Sequence, residues 1–191
     1  VNASVWVFLQ YSGVIKISDT GMPYAVYIFS GTIFWQIFVD SLQSPIQQVV
    51  SSKSILAKLN FPRESIIVAG VYKTLFNALI KIGVLIPVVF SFGAEFSWTI
   101  FLLPFGVLSI MLVGTAMGLL MAPIGTLYTD IGRIIPFLAQ FLMFFGPVIF
   151  AMPTEGISII LFELNLMTPI LMTSRDLLAG GTFDLLFYFA M

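Results

Sequence analysis

PIQQVVSSKSILAKLNFPRES, residues 45–65, is the only sizeable polar interval in the first two-thirds of a very apolar chain. It carries Lys53, Lys58 and Arg63 against a single acid, Glu64, and apolar segments of membrane length flank it on both sides. The 191 residues are 59% hydrophobic and 9% charged, with a mean hydropathy of +1.07. Soluble domains carry about a quarter charged residues, so this composition belongs in a bilayer. Basic segments between spans stay on the cytoplasmic side. Residues 45–65 are therefore expected in the cytoplasm, where they form a handle for a soluble partner.

Outward from that interval the chain divides into apolar blocks. Residues 24–42 form one span, holding Trp35 and, near its inner end, Asp40. Before it, 16–23 (KISDTGMP) is a turn rich in breakers, and 1–15 the outer part of an earlier span. After it come spans at 66–92 and 98–122, separated by a tight turn at 93–97. The loop PIGTLYTDIGR, 123–133, leads into a span at 134–151, and a last span begins near Phe183. The expected fold class is all-α integral membrane, with four complete spans flanked by two partial ones in one transmembrane domain over 1–191. The chain opens on VNAS and closes on LLFYFAM within apolar sequence, which reads as an excerpt lacking part of a span at each end.

Charge counting orients these blocks. The inner loops carry Lys53, Lys58, Arg63 and Arg133. The outer segments carry Lys16 and Arg175, with most of the acids: Asp19, Glu95, Glu155, Glu163, Asp176 and Asp184. Residues 152–181 have both ends outside, yet contain ISIILFEL and PILMTS, too short to cross. They read as re-entrant helices forming a gate or vestibule, or else as an amphipathic helix on the outer leaflet.

Within the spans, Lys73, Asn77 and Lys81 fall at i, i+4 and i+8, on one helical face. Ionisable groups in a bilayer cost about 2.5–3.5 kcal/mol each and normally face a bundle interior or a wet cavity. Lys73 either snorkels to the surface or faces a pore. Lys81 either lines, with Asn77, a hydrated path for an anionic or polyhydroxylated substrate, or pairs with a carboxylate on another span. Gly114 and Gly118, with Ala122 one turn on, give a small-residue stripe for close packing within the subunit or across a dimer. Phe137, Phe141, Phe144 and Phe145 form an aromatic stripe beside Gln140, suited either to stacking on sugar rings or to lipid and core contacts. Gly146-Pro147 should kink or end that helix.

Several classes of chemistry are excluded. The chain lacks cysteine and histidine, which removes disulfides, thiolate metal sites and the commonest catalytic base. No metal site is expected. There is no phosphate-binding GxxxxGK[ST] loop and no acidic cluster of a membrane transferase or protease. A net charge of −1 gives no reason for nucleic-acid binding. The chain is expected to be non-catalytic.

Four blocks in order, YIFSGTIFWQIFVDSL, SSKSILAKLNFPRES, GTLYTDIGRIIPFLAQFLMFFGPVIF and LNLMTPILMTSRDLL, resemble the membrane subunit of ABC-2 type polysaccharide exporters. That family moves O-antigen, capsule or teichoic-acid chains across the bacterial plasma (inner) membrane, and the resemblance covers nearly the whole chain. It implies a homodimer of six-span halves, driven by two copies of a separate ATP-binding subunit that holds the ATP and Mg. This chain itself would carry no cofactor, and its partners would be that ATPase, its own second copy, lipid-linked polysaccharide and membrane lipid. By resemblance, residues 51–64 are a coupling helix and its exit turn. The family's lysine-aromatic-Pro-Arg-Glu pattern matches Lys58, Phe61, Pro62, Arg63 and Glu64. Ile55, Leu56 and Leu59 would anchor in the ATPase, and Lys53, Lys58 and Arg63 would pair with its acids; the other reading of this segment is a basic loop lying on anionic lipid. Tyr128, Asp130 and Arg133 would belong to a second cytoplasmic contact, where Thr129 replaces the family's arginine. Asn165, Thr168, Arg175 and Asp176 match the family's outer gate helices, with Leu166 in place of a usual proline and Met172 of a usual acid. Other readings are an ABC-2 exporter of a drug, lipid or small glycoconjugate, a secondary carrier or channel using Lys73, Asn77 and Lys81, and a non-transporting scaffold.

Overall fold

A computed structural model of the chain describes residues 24–52, 63–92, 98–127, 131–148 and 167–179, and the regular structure among them is entirely helical. Helix α1 spans Tyr24–Ser51, α2 Arg63–Ser91, α3 Leu103–Leu127, α4 Ile131–Leu142 and α5 Met167–Ala179. A 3-10 turn, Trp98–Leu102, leads into α3, and another, Met143–Phe145, follows α4. Three helices are long and apolar enough to cross a membrane: α1, α2, and α3 with its leading turn. At 1.5 Å per residue a 28-residue helix is about 42 Å long, against a hydrocarbon core of about 30 Å.

Helix α1 is the hub. Its most apolar stretch is 67% buried, against 22% for α2, and α2, α3, α4 and α5 all pack on it. Phe34, Ile37 and Ile46 on α1 meet Ile110 and Leu103 of α3 and Leu85 of α2 in one apolar core. The directions follow from the contacts. A Cβ on Gly114 would meet the Phe38 carbonyl at 2.8 Å, and one on Gly118 would strike the Leu42 carbonyl, so α1 and α3 run parallel. A Cβ on Gly125 would lie 2.7 Å from Ile46, and Ala122 is buried between them. The small-residue stripe is thus covered by α1 of the same chain at close approach. Helices α2 and α4 run back the other way: Lys81 meets Asp40, and Ala139 meets Trp35.

Two of the helices run past the ends expected at 42 and 122. Helix α1 continues through Pro45 to Ser51, and Pro45 and Ile46 are buried, so the first part of the polar interval is packed helix. Helix α3 runs through Pro123 to Leu127, which shortens the following loop. Proline removes one backbone donor, and within a packed bundle neighbouring groups absorb that loss. Of the span expected at 134–151, the described part is a 12-residue helix, a 3-10 turn and an extended Gly146, and residues 149–151 lie outside the described residues. Gly146-Pro147 accounts for the early end.

Most helical hydroxyls bond to their own backbone. Ser41 donates to the Ile37 carbonyl, Thr74 to Gly70, Thr173 to Pro169 and Ser174 to Ile170. This back-bonding satisfies each donor without a second helix.

Candidate functional site

The sequence candidates gather at the two ends of the bundle. At the Ser51 end a polar cleft of about 120 Å³ opens between α1 and α2. Asp40, Gln43, Ser44 and Gln47 line it from α1, and Lys73, Thr74 and Asn77 from α2. Gly70 lets α2 approach closely here: a Cβ there would lie 2.7 Å from both Ser44 Oγ and Gln48 Cγ. The i, i+4, i+8 face of α2 therefore turns toward α1, as its spacing requires. Its three members have different fates. Lys81 Nζ lies 2.7 Å from Asp40 Oδ2, with the two side chains 26% and 41% exposed. The ammonium is therefore paired with a carboxylate on another span and does not stand free in a path. Lys73 and Asn77 are exposed at the cleft, and Lys73 has no ion-pair partner among the described residues.

The aromatic candidates of α4 lie elsewhere. Phe137, Phe141 and Phe144 are exposed, as is Gln140, and none of them lines the cleft. Phe137 and Phe141 meet edge to face, 4.9 Å between centroids. The expected path residues thus form two separate surfaces, one polar on α2 and one aromatic on α4.

At the Tyr24 end the structure builds a clamp around Arg175 of α5. Its Nη1 donates to the Pro147 carbonyl, and its Nη2 to the carbonyls of Val148 (2.8 Å) and Tyr27 (3.1 Å). The guanidinium lies over the Tyr27 ring, 3.7 Å from its centroid, and Tyr27 Oη also donates to the Pro147 carbonyl. Gly31 leaves room for it, since a Cβ there would collide with Nη2. The geometry follows from where α4 stops. A helix end leaves carbonyls without intrahelical donors; Trp35 Nε1 takes that of Ala139 (3.1 Å), and Arg175 takes the two beyond the 3-10 turn. Arg175 is 3% exposed. The charge of Arg175, which the resemblance assigns to the outer gate helices, is spent inside the protein, holding α1, the end of α4 and α5 together.

The rest of α5 agrees. Thr168 is buried, while Asp176 is exposed. Thr99 Oγ1 in the turn before α3 donates to the Leu177 carbonyl (2.8 Å), and Gly106 packs on Ser174. Helix α5 is buried on most sides between α1 and α3.

Of the expected coupling contacts, Lys53, Ile55, Leu56, Lys58, Leu59, Phe61, Pro62, Tyr128 and Asp130 lie outside the described residues, as does Asn165 of the expected gate. Arg63 opens α2 with Glu64, exposed, in its first turn, and Arg133 lies in the first turn of α4. The glycine stripe was readable from spacing, whereas the Arg175 clamp was missed. The remaining clue was an arginine inside an apolar stretch, which has to find carbonyls or acids to bind. Among the described residues no cluster of acids could hold a metal ion. Neither a scan against protein-family models nor a search of the curated proteins returned a match.

Proposed function

We propose that this chain is the membrane-spanning subunit of an ATP-driven ABC-2 type exporter that moves lipid-linked polysaccharide across the bacterial plasma membrane. The observation that carries this reading is the order of the four resembling blocks along a chain whose α1, α2 and α3 are long and apolar enough to cross a bilayer. In this reading residues 51–64 dock into a separate ATPase, two copies of the chain form the conduit, and hydrolysis takes place on the partner. The exposed Phe137 and Phe141 on α4 suit a surface that meets sugar rings or the second copy. A secondary carrier is less well supported, because Asp40 neutralises Lys81, one of the three residues its site would use.

The test is co-expression of the full-length chain with its genomic ATP-binding neighbour, followed by purification and an ATPase assay. The wild-type chain should retain the ATPase, and a Leu56→Asp, Leu59→Asp double variant should lose it. If no ATPase associates with the wild-type chain, the exporter reading falls.

A further inference from the structure

We infer that the cleft between α1 and α2 is a binding site for a phosphodiester anion, the headgroup of an anionic membrane phospholipid. The inference rests on α1 and α2 crossing a bilayer and is independent of the export reading.

Depth comes first. Helix α1 exceeds the hydrocarbon thickness by about 12 Å. Its stretch from Tyr24 to Leu42 is apolar apart from Asp40 and a few hydroxyl and amide groups, and its polar run starts at Gln43. The surplus length therefore emerges at the Ser51 end. Gln43, Ser44 and Gln47, which line the cleft, sit where the helix leaves the hydrocarbon, at headgroup level.

The donor balance comes second. Gln43 Oε1 already accepts from Gln47 Nε2, which leaves the Gln43 amide N–H groups unspent. Asp40, the carboxylate of the cleft, is held by Lys81. Lys73, Asn77 and Ser44 add a cation, an amide and a hydroxyl with no side-chain partner among the described residues. Such a cleft offers donors and one unneutralised positive charge, which calls for an anion with several acceptor oxygens.

The third observation selects a lipid over phosphate from solution. Beside Lys73 and Asn77, the outward face of α2 carries Tyr72 and Phe76, 68% and 66% exposed. Leu79, Ile80 and Val84 continue that apolar face toward the middle of the helix, past Gly83, which has open space around it. A headgroup in the cleft leaves its acyl chains on this strip, with the Tyr72 ring at the interface that aromatic residues favour.

The experiment uses the full chain in lipid nanodiscs containing dioleoylphosphatidylglycerol and dioleoylphosphatidylcholine, with retained lipid read by native mass spectrometry after release. The wild-type chain should retain phosphatidylglycerol preferentially. Lys73→Gln, at an exposed position, should lower that retention about fivefold, the effect of one cation at an anionic surface. Asp40→Asn should raise it, because Lys81 then adds a second free charge. The proposal is overturned if Lys73→Gln retains as much phosphatidylglycerol as the wild type, or if the two lipids are retained equally. Displacement of the lipid by millimolar inorganic phosphate would overturn the lipid assignment and make the cleft a site for soluble phosphate.

Discussion

The two ends of the bundle handle positive charge in opposite ways. At the Tyr24 end a buried guanidinium is surrounded by three carbonyls and an aromatic ring, and α1, α5 and the turn that follows α4 meet on it. At the Ser51 end one lysine is paired at partial exposure and another, Lys73, faces a cleft without a counter-charge among the described residues. The difference follows from the solvent each end was built for. A buried cation must find acceptors inside the protein, because an unpaired polar group in an apolar surrounding costs several kcal/mol. Both terminal nitrogens of Arg175 find carbonyls, while its Nε has no partner among the described residues. A cation at the interface meets water and headgroups, so its environment can stay open. The closed end holds the fold, and the open end is free to bind.

The largest effect that would break this contrast is at Arg175. Arg175→Ala leaves the Val148 carbonyl buried without a donor and takes a charge-assisted hydrogen bond each from the Tyr27 and Pro147 carbonyls, which keep Ser30 Oγ and Tyr27 Oη, at a cost of about 3–5 kcal/mol. Thermal unfolding in detergent should show a midpoint lower by about 6–20 °C. Arg175→Lys should recover only part of that, since one ammonium cannot reproduce the two-pronged fork over the Tyr27 ring. A full recovery would mean that charge, and not the fork, holds the closed end.

Next comes the seam between α1 and α3. Gly118→Val drives side-chain atoms into the Leu42 carbonyl and Pro45. The expected loss is about 1–3 kcal/mol, seen as a lower unfolding midpoint of the monomer in detergent. If stability held and only self-association changed, the stripe would be a dimer contact after all.

Lys81→Leu should have a smaller effect, about 1 kcal/mol or less, because the pair is partly exposed. The double variant Asp40→Lys, Lys81→Asp should restore most of that loss in the same unfolding assay. Transport in vesicles is the sharper readout: unchanged transport and assembly in Lys81→Leu would remove Lys81 from any conduit.

The smallest change is expected at Gly83, where a Cβ meets nothing. Gly83→Ala should leave stability unchanged or raise it by up to about 1 kcal/mol through helix propensity. A clear loss would show that the open strip on α2 is filled by another surface.

What could be read from the sequence was local. The apolar length of α1, α2 and α3 and the spacing of Gly114 and Gly118 are properties of contiguous residues, and the helices follow them. The common face of Lys73, Asn77 and Lys81 was equally readable, and a carboxylate partner for Lys81 was one of its two outcomes. What escaped was fixed by distant partners. Nothing near Arg175 in sequence announces that its acceptors are main-chain carbonyls at 27, 147 and 148, because every residue has a carbonyl. The spans drawn to 42 and 122 fell short for a related reason: the polar character of the residues that follow is visible in sequence, and the packing that keeps Pro45 and Pro123 inside helices is not. The aromatic stripe on α4 marked a real exposed face, but its spacing could not separate it from the polar face on α2.

The clamp also sets an order in time. Arg175 and the Tyr27 carbonyl are 148 positions apart. At translation rates of about 5–20 residues per second, roughly 7–30 s pass between the synthesis of the acceptor and that of its donor. Once Leu127 is made, about two-thirds of the way through that interval, α1 and α3 can lie against each other while the Tyr27 carbonyl still waits for the guanidinium. The last described helix is therefore the keystone of the bundle, and a ribosome stalled before residue 175 would leave a membrane intermediate complete in its seam and open at its top.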